Sequence, residues 1–309
     1  MNNIICIAGP TASGKTALAV ELAKALNGEV VSCDSMQVYK RMDIGTAKPT
    51  PEERQGIPHH MLDVAEPDED FSVSRYCAEA TPIVEDIVAR GKTAIIAGGT
   101  GLHMDSLIRG NDFAPFPSTG VREKLEARAD AEGLETLREE LRAVDPEAEA
   151  RIHDRKRLLR ALEVFYETGE TITAHNLRTQ SIPPRFQPIW LGLDFADRQE
   201  LYDRIDLRVS LMLQQGLVEE IRGLLASGIP EKCTALQAIG YKEFIDALDG
   251  RRSLSDAADE VRRSSRRYAK RQLTWFRRNP SVHWLTRQTG QSSDEIFCQA
   301  RQILREFDK

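Results

Sequence analysis

The stretch NIICIAGPTASGKT, residues 3–16, decides the fold. Its first part, Asn3 to Ala8, is a short apolar run of the kind that forms a strand buried on both faces. Its second part, Gly9-Pro10-Thr11-Ala12-Ser13-Gly14-Lys15-Thr16, fits the pattern G-x-x-x-x-G-K-[ST]. From Thr16 to Leu26 the apolar residues then fall at helical spacing. Strand, glycine-rich turn and helix in that order make a phosphate cradle. The glycines let successive N–H groups curl around an anion, and the helix N-terminus adds partial positive charge. Lys15 supplies a mobile cation, and the Thr16 hydroxyl can ligate Mg²⁺. Such a cradle holds a di- or triphosphate. It serves equally a phosphate that is transferred and a diphosphate that merely leaves.

Outward from the cradle, Glu29 to Cys33 is a second buried-strand run and ends at Asp34. Ser72 to Arg90 reads as a helix with Ser72 as its N-cap, and Pro82 is expected to kink or split it. Thr93 to Ala97 is a third strand run and leads into Gly98-Gly99-Thr100-Gly101. The alternation predicts an α/β fold, a P-loop NTPase-like parallel sheet flanked by helices. Ligands of such sheets bind beyond the carboxyl ends of the strands. Asp34 there can hold a metal, accept a proton or simply cap the next turn. Thr100 can hydrogen-bond a substrate at the same edge, or belong to an ordinary tight turn.

The character changes near Pro115. Glu123 to Glu149 holds ten acids and four bases, with leucines at helical spacing, and Arg151 to Arg160 reverses the charge. Residues 115–186 therefore read as an inserted helical domain, with 1–114 and 187–309 forming the α/β core. Residues 188–193 return to buried-strand character, and Gln199 to Leu225 reads as one long helix. On that helix Arg204 and Arg208 share a face. They either pair with Asp203 and Asp206 or reach a phosphate. Arg251 to Arg278 carries ten bases and three acids, whereas the whole chain stands at −6. Arg262, Arg263, Arg266, Arg267, Lys270 and Arg271 make a stripe that suits a phosphate backbone. The interleaved Tyr268, Trp275 and Phe276 either stack bases or pack the core.

Composition excludes several classes. With 41% hydrophobic residues among 309, the chain is not disordered throughout. A net charge of −6 excludes a uniformly basic nucleic-acid binder but allows a local patch. Five scattered cysteines without a CxxC pair argue against a zinc ribbon or disulfide framework and point to a reducing, cytoplasmic compartment. The five-residue apolar run at Ile4 to Ala8 is too short for a signal peptide. No run approaches the ~20 residues that cross a bilayer. His59, His60 and His153 lack a second ligand cluster, which favours structural or substrate-contact roles.

Seven segments together resemble the bacterial tRNA dimethylallyltransferases: GPTASGKT (9–16), SCDSMQVYKRMDIGTAKP (32–49), PHHMLDV (58–64), GGTGLH (98–103), RLLRALEV (157–164), QAIGYKEF (237–244) and RRYAKRQLTWFR (266–277). They lie in order and span nearly the full length. The resemblance implies transfer of a dimethylallyl group from dimethylallyl diphosphate to the N6 amine of adenosine 37, beside the tRNA anticodon. It implies Mg²⁺ as cofactor and a monomer. Pyrophosphate would lie on the P-loop, Lys15 and Arg208, with Mg²⁺ at Thr16. Asp34 resembles the family's general base and Thr100 its hydrogen-bonding partner. Asp34, Ser35, Met36, Gln37 and Thr100 match segments that meet the target nucleotide. Arg122, Arg157, Leu158, Leu159, Arg160, Ala161, Ile239, Gly240, Tyr241 and Lys242 match tRNA-contacting positions, and the insertion would grip the anticodon stem-loop. The chain departs from the family at His103, where Tyr is usual, and at 151–157, which is shorter than the usual IHPxDxxR stretch. A small-metabolite P-loop kinase, an isopentenyltransferase acting on free adenine nucleotides and a non-catalytic RNA-binding NTPase would share the cradle. The first two have no use for the basic helix.

Overall fold

The computed structural model describes residues 3–110 and 119–307. The expected start of the insertion near Pro115 lies outside them. The chain divides into two units, Met1–Ile108 with Arg185–Lys309, and Arg109–Pro184.

The first unit is built on a parallel sheet. Its strands are β1 (Ile4–Ala8), β2 (Gly28–Cys33), β3 (His59–His60), β4 (Thr93–Gly98), β5 (Ile189–Phe195) and β6 (Val282–Arg287), in the spatial order β3-β2-β4-β1-β5-β6. Every residue of β1, β2 and β5 is buried, as strands covered on both faces must be. On one face α1 (Lys15–Ala25) lays Leu18, Ala19, Leu22 and Ala23 against Ile5, Ile7, Val30 and Ile95. The C-terminal helix adds Ile296, Ala300 and Leu304 to the same cluster. Each fully buried aliphatic side chain of this kind stabilises by roughly 1.5–3 kcal/mol. A short α2 (Pro51–Arg54) follows β2, and α3 (Val73–Ala89) starts at Ser72, whose side chain accepts from the Arg75 N–H. Pro82 does not split α3. It lies on an exposed face, as does Ala78, the residue whose carbonyl a helical N–H at 82 would have met. After β4 comes α4 (Gly101–Arg109).

The second unit is helical: α5 (Val121–Glu132), α6 (Leu134–Val144), α7 (Pro146–Arg151), α8 (Arg155–Thr168) and α9 (Ile172–Ser181). Leu125, Leu137, Leu141, Leu158, Leu159 and Leu162 form its core. Buried Asp145 joins α7 to α9, accepting from the Ala148 N–H at 3.1 Å and from the Thr173 hydroxyl at 2.8 Å.

The first unit continues after β5 with α10 (Arg198–Gln214) and α11 (Leu217–Ala226). The sequence predicts one helix over 199–225; the structure breaks it at Gly216, in the left-handed region at φ +97°. The turn aims Leu217, Ile221 and Leu224 inward. Next come α12 (Lys242–Leu248), α13 (Leu254–Phe276), β6 and α14 (Ser293–Glu306). No helix among the described residues is long and apolar enough to cross a membrane.

Candidate active site

Three loops leave the carboxyl edge of the sheet side by side. The register sets Ala8 of β1 against Gly98 of β4, and Gly98 against Cys33 of β2. A Cβ on Gly98 would come within 1.9 Å of the Cys33 carbonyl oxygen, so only glycine fits. The P-loop, Asp34 and Thr100 therefore emerge together, where open α/β sheets bind ligands.

Within the P-loop, Lys15 Nζ donates to the Pro10 carbonyl at 2.6 Å. Ala12 sits at φ +63°, a conformation that costs a non-glycine residue about 1–2 kcal/mol. Arg204 grips that residue: its Nε donates to the Ala12 carbonyl at 3.0 Å while the guanidinium lies 5.8 Å from the centre of the Phe195 ring. One turn on, Arg208 Nη1 donates to Thr11 Oγ1 at 3.3 Å. Both arginines thus serve the P-loop, and Asp203 and Asp206 instead receive Gln199 and Arg266. The sequence leaves both local pairing and the phosphate site open for Arg204 and Arg208, and the resemblance brings only Arg208 to the pyrophosphate.

The cradle is prepared for an anion. Burial, with Arg208 close by, brings the Lys15 ammonium down to about 7, against the pull of Asp34. Burial also lowers Arg208, against Asp34 and Glu53. Ser13 Oγ is buried without a partner among the described residues. A di-anion placed between these groups would satisfy all of them.

Asp34 divides its two oxygens. Oδ1 accepts from the Met36 and Gln37 N–H groups at 2.9 and 3.4 Å, the turn-capping role. Oδ2 receives no hydrogen bond among the described residues. Thr100 Oγ1 accepts from the Ser35 N–H at 3.0 Å, joining the ends of β2 and β4. From α13, buried Gln272 accepts from the Thr11 N–H at 2.9 Å and donates to the Gly99 carbonyl at 3.0 Å. The Tyr268 hydroxyl lies beside Thr100 and Gln272, and burial with nearby Asp34 pushes it up to about 12. Sequence reasoning singled out neither Gln272 nor the hydroxyl of Tyr268 for the site.

Two cavities open around these groups. One of about 620 Å³ is lined by Thr11 to Thr16 of the P-loop, Arg204 and Arg208. The other, about 280 Å³, is lined by Ser35, Met36, Ile239, Gly240 and Arg271. Thr11, Asp34, Thr46, Arg208, Met212 and Tyr268 line both. Asp34 therefore stands where a phosphate-binding chamber meets a second chamber.

The sequence pattern of the IPP transferases matches residues 37–279. The chain belongs to the IPP transferase family. It is 44% identical to a tRNA dimethylallyltransferase of Acetivibrio thermocellus, covering 99% of each chain. It is 49% identical to one from a Thermoanaerobacter species, over 91% of this chain and 90% of the relative. Among solved structures it resembles the full-length tRNA isopentenylpyrophosphate transferase of Bacillus halodurans, with a TM-score of 0.75, 40% identity and coverage of 99% and 96%. A eukaryotic dimethylallyltransferase acting on tRNA gives a TM-score of 0.79 at 31% identity, over 93% of this chain and 74% of that one.

The positions expected from the IPP transferase family to meet tRNA fall into three kinds. Ser35, Met36, Ile239 and Gly240 line the smaller cavity beside Asp34. Gln37 lines the larger one, but its amide is engaged within its own loop, on Ser32, Thr46 and Ala47. Lys242 is exposed, whereas Tyr241 is fully buried. In the helical unit Arg157 and Arg160 are exposed and Arg122 is partly so; each is ion-paired, with Asp154, Glu163 and Glu126 respectively. Leu158, Leu159 and Ala161 are core residues of that unit, and their side chains present no surface.

Local acids answer much of the stripe on α13. Arg262 pairs with Asp259, Arg263 and Arg267 with Glu260, and Arg266 with Asp206. Lys270 and Arg271 have no acidic partner among the described residues, and Arg271 sits over the Tyr268 ring at 5.5 Å. The aromatics divide: Phe276 is core, Trp275 donates to Asp105 at 2.8 Å, and Tyr268 faces the cavities. Two of the three histidines weighed as ligands are engaged by neighbouring groups. His60 meets Glu29 at 2.8 Å, His59 meets the Ile57 carbonyl at 2.9 Å, and His153 is exposed. His103 packs edge-on to Tyr76, and burial brings it down to about 4.

Proposed function

We propose that this enzyme transfers a dimethylallyl group from dimethylallyl diphosphate to the N6 amine of adenosine 37 in tRNA and releases diphosphate. The observation that carries the reading is the position of Asp34 at the junction of two chambers, one cationic and one bounded by the 34–36 and 237–240 segments. The diphosphate lies on the P-loop, held by Lys15 and Arg208. The adenine enters the smaller chamber, flipped out of the anticodon loop at a cost of a few kcal/mol. Its amine is a poor nucleophile, because the lone pair is delocalised into the ring. As N6 bonds to the allylic carbon, the carbon–oxygen bond breaks and the electron pair leaves with diphosphate. Asp34 accepts the amine proton at the oxygen that caps no turn, an effect typically worth ~10²–10⁴-fold. Thr100 fixes the segment that follows Asp34 through the Ser35 N–H.

Thr16, on the larger chamber, offers a hydroxyl beside the diphosphate site, the hard oxygen donor that Mg²⁺ takes together with phosphate oxygens and water. When bound, Mg²⁺ supplies charge neutralisation of the leaving group. The helical unit and the uncompensated bases of α13 hold the anticodon stem-loop, and the enzyme acts as a monomer in the cytoplasm. The test is mass spectrometry of tRNA nucleosides after incubation with dimethylallyl diphosphate and Mg²⁺. Appearance of N6-dimethylallyl-adenosine at position 37 is expected. Transfer of a γ-phosphate from ATP to a small acceptor, with unmodified tRNA, would replace this reading by a kinase.

A further inference from the structure

Glu220 lies on α11, outside every motif that the sequence singles out. Its Oε2 accepts from the backbone N–H groups of Asp43 at 2.8 Å and Ile44 at 2.7 Å, and its Oε1 accepts from Gly45 at 3.1 Å. Three consecutive amides thus close on one carboxylate, a charge-assisted arrangement. The same Oε1 accepts from the Tyr241 hydroxyl at 2.6 Å. The Tyr241 ring covers Gly45 so closely that a Cβ there would fall 2.4 Å from it. Tyr241 is itself fully buried, and burial with Glu220 beside it keeps the hydroxyl protonated as a donor.

What this carboxylate joins matters. Gly45 and Thr46 form one part of the smaller cavity's wall, and Gln237 to Gly240, the residues just before Tyr241, form another, while Asp43, Ile44, Thr46, Ala47 and Lys48 line the larger cavity as well. Glu220 is not part of either cavity's lining. On its other side the 43–48 loop is held by Lys48, whose Nζ meets Asp43 and Asp63 at 2.6 Å each. The loop is therefore fixed at both ends, and Glu220, with the Tyr241 ring packed on Gly45, connects it to the 237–240 wall.

We infer that Glu220, acting through Tyr241 and the Asp43–Gly45 amides, is a positioning residue that sets the width of the acceptor chamber and so the fit of the extruded purine. This rests on the proposed transfer to tRNA. Its signature is asymmetric. The loop borders both chambers, but the hydrogen bonds of Glu220 reach the Asp43–Gly45 amides and Tyr241 and not the P-loop or Arg208. The acceptor should therefore bind and react poorly while the diphosphate is held nearly as before.

The experiment compares the full-length protein with its E220Q, E220A and Y241F variants. Initial rates are measured with an anticodon stem-loop and dimethylallyl diphosphate varied in turn, and pyrophosphate binding is measured by calorimetry. E220Q should raise KM for the stem-loop by about tenfold, and Y241F by a few-fold. KM for dimethylallyl diphosphate and Kd for pyrophosphate should stay within about twofold, since the P-loop is untouched. If E220A does not fold, the two milder variants carry the test. Equal losses on both substrates would reduce Glu220 to a general structural role and overturn the inference, as would an unchanged stem-loop KM in E220Q. Absence of transfer by the unaltered protein would instead sink the functional reading, and the same split would then be read from the dissociation constants of stem-loop and pyrophosphate.

Discussion

Gln272 and Thr11 stand 261 positions apart in the chain and meet at 2.9 Å, the side-chain oxygen of one on the backbone N–H of the other. The same amide donates to the Gly99 carbonyl, so one buried side chain from α13 bridges the phosphate loop and the loop that carries Thr100. The basic helix is thereby part of the active-site frame, beside the role toward RNA phosphates proposed for it.

Replacing Gln272 with Leu strands the Thr11 donor and the Gly99 acceptor. An unsatisfied buried group costs about 1–3 kcal/mol, so the pair should cost roughly 2–6 kcal/mol of stability. Denaturant unfolding checks this. Turnover should fall further than stability alone explains, because the two loops lose their common anchor.

Asp34→Asn preserves an acceptor for the Met36 and Gln37 N–H groups and removes the proton acceptor. The variant should fold normally and bind an anticodon stem-loop with unchanged affinity. Its kcat should drop by ~10²–10⁴-fold. A rate near that of the unaltered enzyme would end the general-base role.

The pH dependence of diphosphate binding follows from Lys15. In the empty protein its proton is lost as pH rises through about 7, far below its ordinary value of 10.5. A bound anion restores the ordinary preference for the charged form. Binding of pyrophosphate at pH 8 should therefore take up protons, and affinity should decline between pH 7 and 9. Below pH 6 this contribution vanishes, because Lys15 is already charged. Calorimetry in buffers of different ionisation enthalpy measures the uptake. A Lys15→Arg variant should show only the uptake that belongs to pyrophosphate itself.

On α13 the acids decide which bases are available. Neutralising Lys270 or Arg271 should each flatten the slope of log K against log salt for stem-loop binding by about 0.7–0.9. Neutralising Arg266 should change it less, because Asp206 already holds that guanidinium at 2.7 Å. Slopes unchanged from that of the unaltered protein in all these variants would remove the helix from the RNA interface.

The central strands, the P-loop, Asp34 and Thr100 were legible because each is written locally: an apolar run, a glycine pattern, a residue at a strand end. The two-residue β3 was not, since His59 and His60 pair with Val30 and Val31 only through the sheet. Nor was β6, whose six residues are only half buried at the sheet's edge. Gly216 was passed over because the helical periodicity of Leu217 to Leu224 resumes directly beyond it. Gln272 and Glu220 escaped for one shared reason. Each acts on backbone groups far away in the chain, and a backbone N–H or carbonyl leaves no trace in composition or spacing.

The double opening around Asp34 also bears on traffic. The two cavities meet at that carboxylate, so on the proposed reading donor and acceptor each have a chamber of their own and neither has to queue behind the other. On the same reading the spent inorganic product does not lie in the purine's chamber, and its release need not await departure of the RNA.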